Sequence, residues 1–263
     1  MNIFLYELRA YRKSTLIWTM VLIGLVMLFL SMFPSISKEI DEFQKLLEGF
    51  PEGVRKALGI QVETIGSLNG YYSYIFLYIS LCGAIQAMNL GISISSKEMR
   101  EKTADFLLTK PVTRTKILSS KVLAALASLL MTNIAYGISA IIVANVVKVE
   151  EFSLNVFFLI SLTLLFTQVI MFAVGMIIAV IFSRVKSVIA LSLAVVFAFF
   201  FIGMVAATEE TGRYFTPFKY FDYTYIMNHH RYEWSFVIVA ILLTAGSLIA
   251  SFIIYNKKDI HTL

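Results

Sequence analysis

Side chains that most often bind metals or attack substrates are scarce in this sequence, which has three histidines and one cysteine among 263 residues. His229 and His230 are adjacent and Asp222 lies nearby, a grouping that could hold a metal ion. Neighbouring positions on a helix point about 100° apart, so the two imidazoles cannot readily face one ion, and no cysteine or third histidine stands beside them. No metal is expected there. The chain has no G-x-x-x-x-G-K-[ST] loop, no H-E-x-x-H, no G-x-S-x-G and no cysteine pair, so nucleotide binding through a P-loop is excluded and a catalytic role is not expected. Cys82 lies in mid-span and reads as a buried, inert thiol.

A denser grouping is residues 96–121, SKEMREKTADFLLTKPVTRTKILSSK, with seven basic and three acidic side chains around Phe106, Leu107 and Leu108. Pro111 separates two basic helical stretches. A helix, a proline turn and a helix standing in water would expose that apolar cluster unless something covered it. The segment is either a basic membrane anchor or a docking surface for a cytoplasmic protein, and the cluster inside the charge favours the second.

The elements that position these residues follow from composition. The chain is 59% hydrophobic and 15% charged, its mean hydropathy is +0.80, and a soluble domain carries about 25% charged residues. Six uncharged apolar runs, 14–33, 71–95, 122–147, 154–183, 187–207 and 234–255, each reach the length of about 20 residues that a membrane-crossing helix needs. Barrel strands would instead alternate over about ten residues. The fold class is therefore an all-α integral membrane protein with six transmembrane helices. The fourth run is long enough to tilt, to kink near Gly175 or to project into water.

Lys and Arg divide unevenly between the two sides. Fourteen fall in 1–13, 96–121, 184–186 and 256–263, against eight in 34–70, 148–153 and 208–233, while acidic residues run five against twelve. The basic side is expected to be cytoplasmic, with both termini there. This asymmetry accounts for the net charge of +5 without nucleic acid. The first run exceeds a signal-peptide core and no small-x-small site directly follows it, so it is expected to stay in the chain.

Between the runs, residues 1–13 carry Phe4, Leu8 and Tyr11 at helical spacing among charges, which suits a helix lying in the interface or a plain charged flank. Ile36, Ile40, Phe43, Leu47 and Phe50 share one face of an amphipathic helix expected to cap the bundle, broken by Pro51, and Val54 to Leu58 suit another short turn. Residues 208–233 are rich in Tyr and Phe, which settle at headgroup level. No carboxylate, Lys, Arg or His lies within the runs, so any energy source is expected to be elsewhere. Gln86, Asn89, Asn133, Asn145 and Gln168 are expected to hydrogen-bond between helices, and the ridges Ala190–Ala194–Ala198 and Gly175–Ala179 to mark close packing.

Two families are similar to parts of this pattern. Glu209, Glu210 and Arg213, followed by His229, resemble intramembrane proteases, although the Glu-Glu to Arg spacing is one residue short and the group lies in a loop. The stronger resemblance, over nearly the whole chain, is to the permease subunit of ABC type 2 exporters. It is carried by Glu98, Glu101, Lys102, Thr103, Leu107, Leu108, Pro111, Val112, Thr113, Arg114 and Lys121, by TPFKYFD at 216–222 and by KKD at 257–259.

That resemblance implies a single transmembrane domain over 1–263, an interfacial elbow helix at 1–13 and a cytoplasmic coupling helix at 96–110. It implies two separate ABC ATPase subunits, which bind ATP and Mg, and a second permease subunit, identical or homologous; this chain itself has no cofactor. Glu98, Arg100, Glu101, Lys102, Thr103, Phe106, Leu107, Leu108, Pro111 and Arg114 would meet the ATPase. The translocation path is expected in a dimer cavity lined by Tyr78, Gln86, Asn89, Phe197 and Phe201, whose few polar groups suit a lipid, drug or peptide antibiotic. The expected setting is a prokaryotic cytoplasmic membrane. The alternatives are a protease-like enzyme and a non-transporting membrane anchor for an ATPase.

Overall fold

The computed structural model describes residues 3–101, 113–182, 185–205 and 210–257. Long uncharged runs of helix-forming residues have one way to pair their backbone in hydrocarbon, and they take it. Among the described residues six helices are long and apolar enough to cross a membrane: α1 (Ile3–Ser31), α5 (Leu68–Glu101), α6 (Arg114–Val147), α7 (Leu154–Ile181), α8 (Val188–Val205) and α10 (Trp234–Lys257). Three short helices, α2 (Phe33–Lys38), α3 (Ile40–Glu48) and α4 (Glu52–Ala57), lie between α1 and α5. Between α8 and α10 come two 3-10 turns, Glu210–Phe215 and Pro217–Lys219, and α9 (Tyr223–His229).

Helix starts are set locally. Thr113 accepts from the Lys116 N–H at the start of α6, Ser153 from Val156 at α7, and Asp222 from Thr224 and Tyr225 at α9. After α4, Gly59 takes φ 69°, where an L side chain would be strained.

The bundle has a centre and a rim. Helices α5 and α7 are buried over most of their most apolar stretch, whereas α1, α6, α8 and α10 bury under a third of theirs. Their glycines explain the closeness of the central pair. A Cβ on Gly91 would collide with the Phe172 carbonyl oxygen, and one on Gly175 would stand 2.7 Å from that of Met88. Ala179 is buried as well, so the Gly175–Ala179 ridge faces α5, and α7 runs as one helix through Gly175 with no break. The other ridge differs: Ala190, Ala194 and Ala198 are exposed on the single chain, while Ser192, Val196 and Gly203 are the buried residues of α8.

Two expectations need correction. Residues 3–13 do not form a separate elbow helix; they are the first turns of α1, which continues without a break to Ser31. Glu7 is not on a solvated face but is buried. The amphipathic segment after α1 also divides, at Glu39, into α2 and α3. Leu47 is buried, Ile36, Ile40 and Phe43 pack against the α1–α5 core, and Phe50 is exposed. The segment thus caps the end of the bundle opposite the basic loops, called here the acidic end.

Because backbone atoms cannot swing aside, Gly91→Ala is expected to force α5 and α7 apart and to destabilise the chain by about 1–3 kcal/mol. Gly137→Ala meets nothing within 4 Å and is expected to be neutral or slightly stabilising. The check is the apparent melting temperature of each variant in detergent, followed by loss of the monodisperse chromatographic peak.

Candidate coupling and translocation site

At the basic end four helices are tied by polar bonds around the root of the 96–121 loop. The Lys97 ammonium lies 3.5 Å from the Glu7 carboxylate, joining α5 to α1. It also sits 5.6 Å and 5.5 Å from the ring centres of Tyr6 and Tyr11, and the Tyr11 and Ser93 hydroxyls are 3.4 Å apart. Lys121 of α6 is almost fully buried and donates to the Ile94 carbonyl of α5 at 3.2 Å, within electrostatic reach of Glu7 and Lys97. Arg114 donates to the Asn256 carbonyl of α10 at 3.5 Å, and the Asn256 amide donates to the Thr115 hydroxyl at 3.1 Å.

Of the residues expected to meet an ATPase, Arg114 is therefore placed at this junction, at the first turn of α6. Glu98, Arg100 and Glu101 lie on the last turn of α5. Lys102, Thr103, Phe106, Leu107, Leu108 and Pro111 lie outside the described residues.

At mid-depth the amide side chains do what their types require. Gln168 of α7 donates to the Gln86 carbonyl oxygen of α5 at 3.0 Å, and its own oxygen accepts from Asn133 of α6 at 2.5 Å. Gln86 donates to Thr132 at 3.2 Å, and Thr132 pairs with Thr19 of α1 at 2.9 Å. One neutral network therefore crosses α1, α5, α6 and α7. Asn145 instead bonds the Ile141 carbonyl of its own helix. Each interhelical bond is worth about 0.6 kcal/mol, but an amide left unpaired in hydrocarbon costs several.

The expected path residues divide into three places. Gln86 and Asn89 share a cleft of about 190 Å³ with Tyr11, Ser14, Thr15 and Trp18 of α1. Tyr78 stacks on Phe29 of α1 at 6.0 Å. Phe197 and Phe201 stand on the exposed face of α8, with ring centres 6.1 Å apart. Within one chain, then, the aromatic pair of α8 and the amides of α5 line different surfaces.

Sequence reasoning missed the hydroxyl residues at the acidic half. Tyr72 bonds Tyr136 at 2.7 Å and Ser161 at 2.8 Å, joining α5, α6 and α7 in a fully buried cluster. Their signal was a tyrosine in mid-run, where an aromatic at a span end is the commoner case. Glu7, Lys97 and Lys121 were also missed as a group, because each stands just outside an apolar run and no spacing links them.

Of the groups that suggested enzymatic chemistry, Arg213, Asp222 and His229 have other partners. Arg213 holds Glu233 at 2.8 Å and lies 3.9 Å from the centre of the Phe236 ring. The Asp222 carboxylate caps α9. His229 is exposed, stacks on Tyr225 at 4.2 Å and has its Nδ1 3.2 Å from the Tyr225 carbonyl. Glu210 begins a 3-10 turn, and Glu209 lies outside the described residues.

A family model described as "ABC-2 family transporter protein" matches residues 1–260. No curated protein matches the chain.

Glu7→Gln leaves two lysines facing no carboxylate from α1, and is expected to cost about 1–3 kcal/mol. Adding Lys97→Met in the same chain is expected to recover part of that loss. Melting temperatures of the four members of this double-mutant cycle check it; strictly additive effects would show that the pair is uncoupled.

Proposed function

This chain belongs to the ABC-2 transporter family, and on that premise we propose that it is one half of the membrane core of an ATP-driven exporter. Membership makes it a multi-pass permease component of an ABC transporter, associated with ABC ATPase partners, and not itself a catalytic enzyme. The finer reading is that two ATPase subunits bind ATP and Mg and act on the 96–121 loops of two permease chains, identical or homologous. Residues Glu98, Arg100, Glu101, Lys102 and Thr103 make the polar contacts of that joint, and Phe106 to Leu108, turned by Pro111, make its apolar anchor. The basic side faces the cytoplasm, and the setting is a prokaryotic cytoplasmic membrane.

The observation that supports this most is the junction at the base of the loop. Lys97 and Glu7, Lys121 and Ile94, and Arg114 and Asn256 tie α5, α6, α1 and α10 within a few residues of where the loop leaves and returns. A force on the loop is therefore shared among four helices at once, which is what a rigid-body transition requires. The exposed alanine ridge and Phe197–Phe201 pair of α8 supply a face for the second permease chain. With no charged side chain at mid-depth, the cargo is amphipathic or apolar: a lipid, a drug or a peptide antibiotic.

The test is purification of the tagged chain from its native membrane in mild detergent, with intact-complex mass and ATPase assay. Wild type is expected to carry about two permeases and two ATPases, and Leu108→Asp to lose them while keeping its own melting temperature. Retained ATPase binding in Leu108→Asp would overturn the docking site. A wild-type chain that binds ATPase but moves no amphiphile in inside-out vesicles would instead be an anchor.

A further inference from the structure

A cavity among the described residues lies remote from the coupling loop. It lies between α7 and α10 at the acidic end, with a volume of about 720 Å³. Leu165, Phe166 and Val169 form one wall, and Val237, Ile241 and Ala245 the other. Its lining runs from Leu159 to Ile170 on α7 and from Trp234 to Leu248 on α10, roughly 16 Å and 21 Å of helix at 1.5 Å per residue. A hydrocarbon core is about 30 Å deep, so the groove reaches from the acidic end to about the middle of the membrane. Most of α10 is unburied by the protein, so the groove's open side meets lipid.

Charge is confined to the rim. His230 and Arg231 line the mouth of the groove, beside Tyr232 and Trp234. Tyr232 is engaged with the Leu159 carbonyl at 2.8 Å. Among the described residues the neighbouring carboxylates are occupied: Glu233 by Arg213 and Ser235, and Asp222 by the N–H groups of α9. Arg231 is exposed and has no ion-pair partner among the described residues. An apolar slot, with a guanidinium at its mouth that has no ion pair among the described residues, is complementary to an amphiphile with an acyl tail and an anionic head.

We infer that this groove holds a structural phospholipid with an anionic headgroup, taken from the leaflet on the acidic side, its phosphate on Arg231 and its acyl chain between α7 and α10. A bilayer lipid is the occupant because the groove opens sideways into hydrocarbon, where lipid is the solvent and a soluble ligand would have to displace it. The selectivity rests on one cationic side chain, so it is modest, about fivefold for an anionic over a zwitterionic lipid.

The chain's two tryptophans make this measurable. In a Trp18→Phe background the remaining indole, Trp234, stands at the groove mouth. The full chain is reconstituted in phosphatidylcholine vesicles containing brominated phosphatidylglycerol or brominated phosphatidylcholine, and quenching is titrated against mole fraction. The expected result is about fivefold stronger association of phosphatidylglycerol, reduced to near equality by Arg231→Gln. Ala245→Phe, at an exposed position lining the groove, is expected to weaken quenching by both lipids. Equal association of the two lipids with the parent chain, or a preference unchanged in Arg231→Gln, would overturn the inference. So would quenching unchanged in Ala245→Phe, since that assigns the signal to lipid outside the groove. Arg231→Gln changes a surface side chain, so its outcome does not depend on a perturbed fold.

Discussion

Where Gly91 faces Phe172 and Gly175 faces Met88, two helices approach with no side chain between them. Lipid tails are as apolar as leucine, so burying more leucine gives no net gain in a membrane, and helix association depends on how many atoms are brought into contact. Glycine maximises that number by removing the spacer. The α5–α7 pair is consequently the one part of the bundle buried on nearly every side, and the other spans are placed by reference to it. Helix α6 joins it through Tyr136 and Asn133, and α1 reaches it through Glu7, while Thr19 of α1 bonds Thr132 of α6.

Polar side chains then give the bundle a register that packing alone does not enforce. The Gln86–Gln168–Asn133 chain and the Tyr72–Tyr136–Ser161 cluster are individually weak by the measure of single bonds in membranes. Their leverage lies in the alternative, because sliding one helix by a turn would strand several amides or hydroxyls at once in hydrocarbon. The Glu7–Lys97–Lys121 group differs in kind. It is charged, it sits at the junction with the basic loops, and it links α5 to α1 and α6, so its stability depends on the helices staying together.

The membrane-crossing architecture was legible because continuous apolar runs and the unequal distribution of Lys and Arg are properties of the sequence itself. Helix starts at Thr113 and Ser153 were not read, because apolar runs mark the membrane-crossing part of a helix and not the cap before it. The extension of α1 back to Ile3 could not be read either, since Glu7, Arg9 and Arg12 look like a solvated flank until Lys97, ninety residues later, is placed against Glu7. The amides of the runs were visible as interhelical bonding groups, but not their partners: Thr19 and Thr132 are too ordinary to stand out. For the path residues the difficulty is geometric. Tyr78, Gln86 and Asn89 share α5 with the core, and Phe197 and Phe201 lie on a face that one chain leaves open, so helix identity alone did not assign them to a common surface.

A neutral core constrains how this protein can be driven. A network of amides and hydroxyls exchanges no net charge, so neither a proton gradient nor a membrane potential acts on it directly. In the proposed exporter, work arrives mechanically through α5. At 34 residues it is roughly 50 Å long, running from the acidic-end cap, past the glycine contacts and the amide network, to the root of the basic loop. A helix clamped at Gly91 by backbone contact does not stretch; it tilts or slides as a unit, carrying Gln86 and Tyr72 with it. In the proposed exporter, displacement of the loop would thus reach the mid-depth amides without any local unfolding, and the cost of the transition would be set by how many of those hydrogen bonds re-form in the second position.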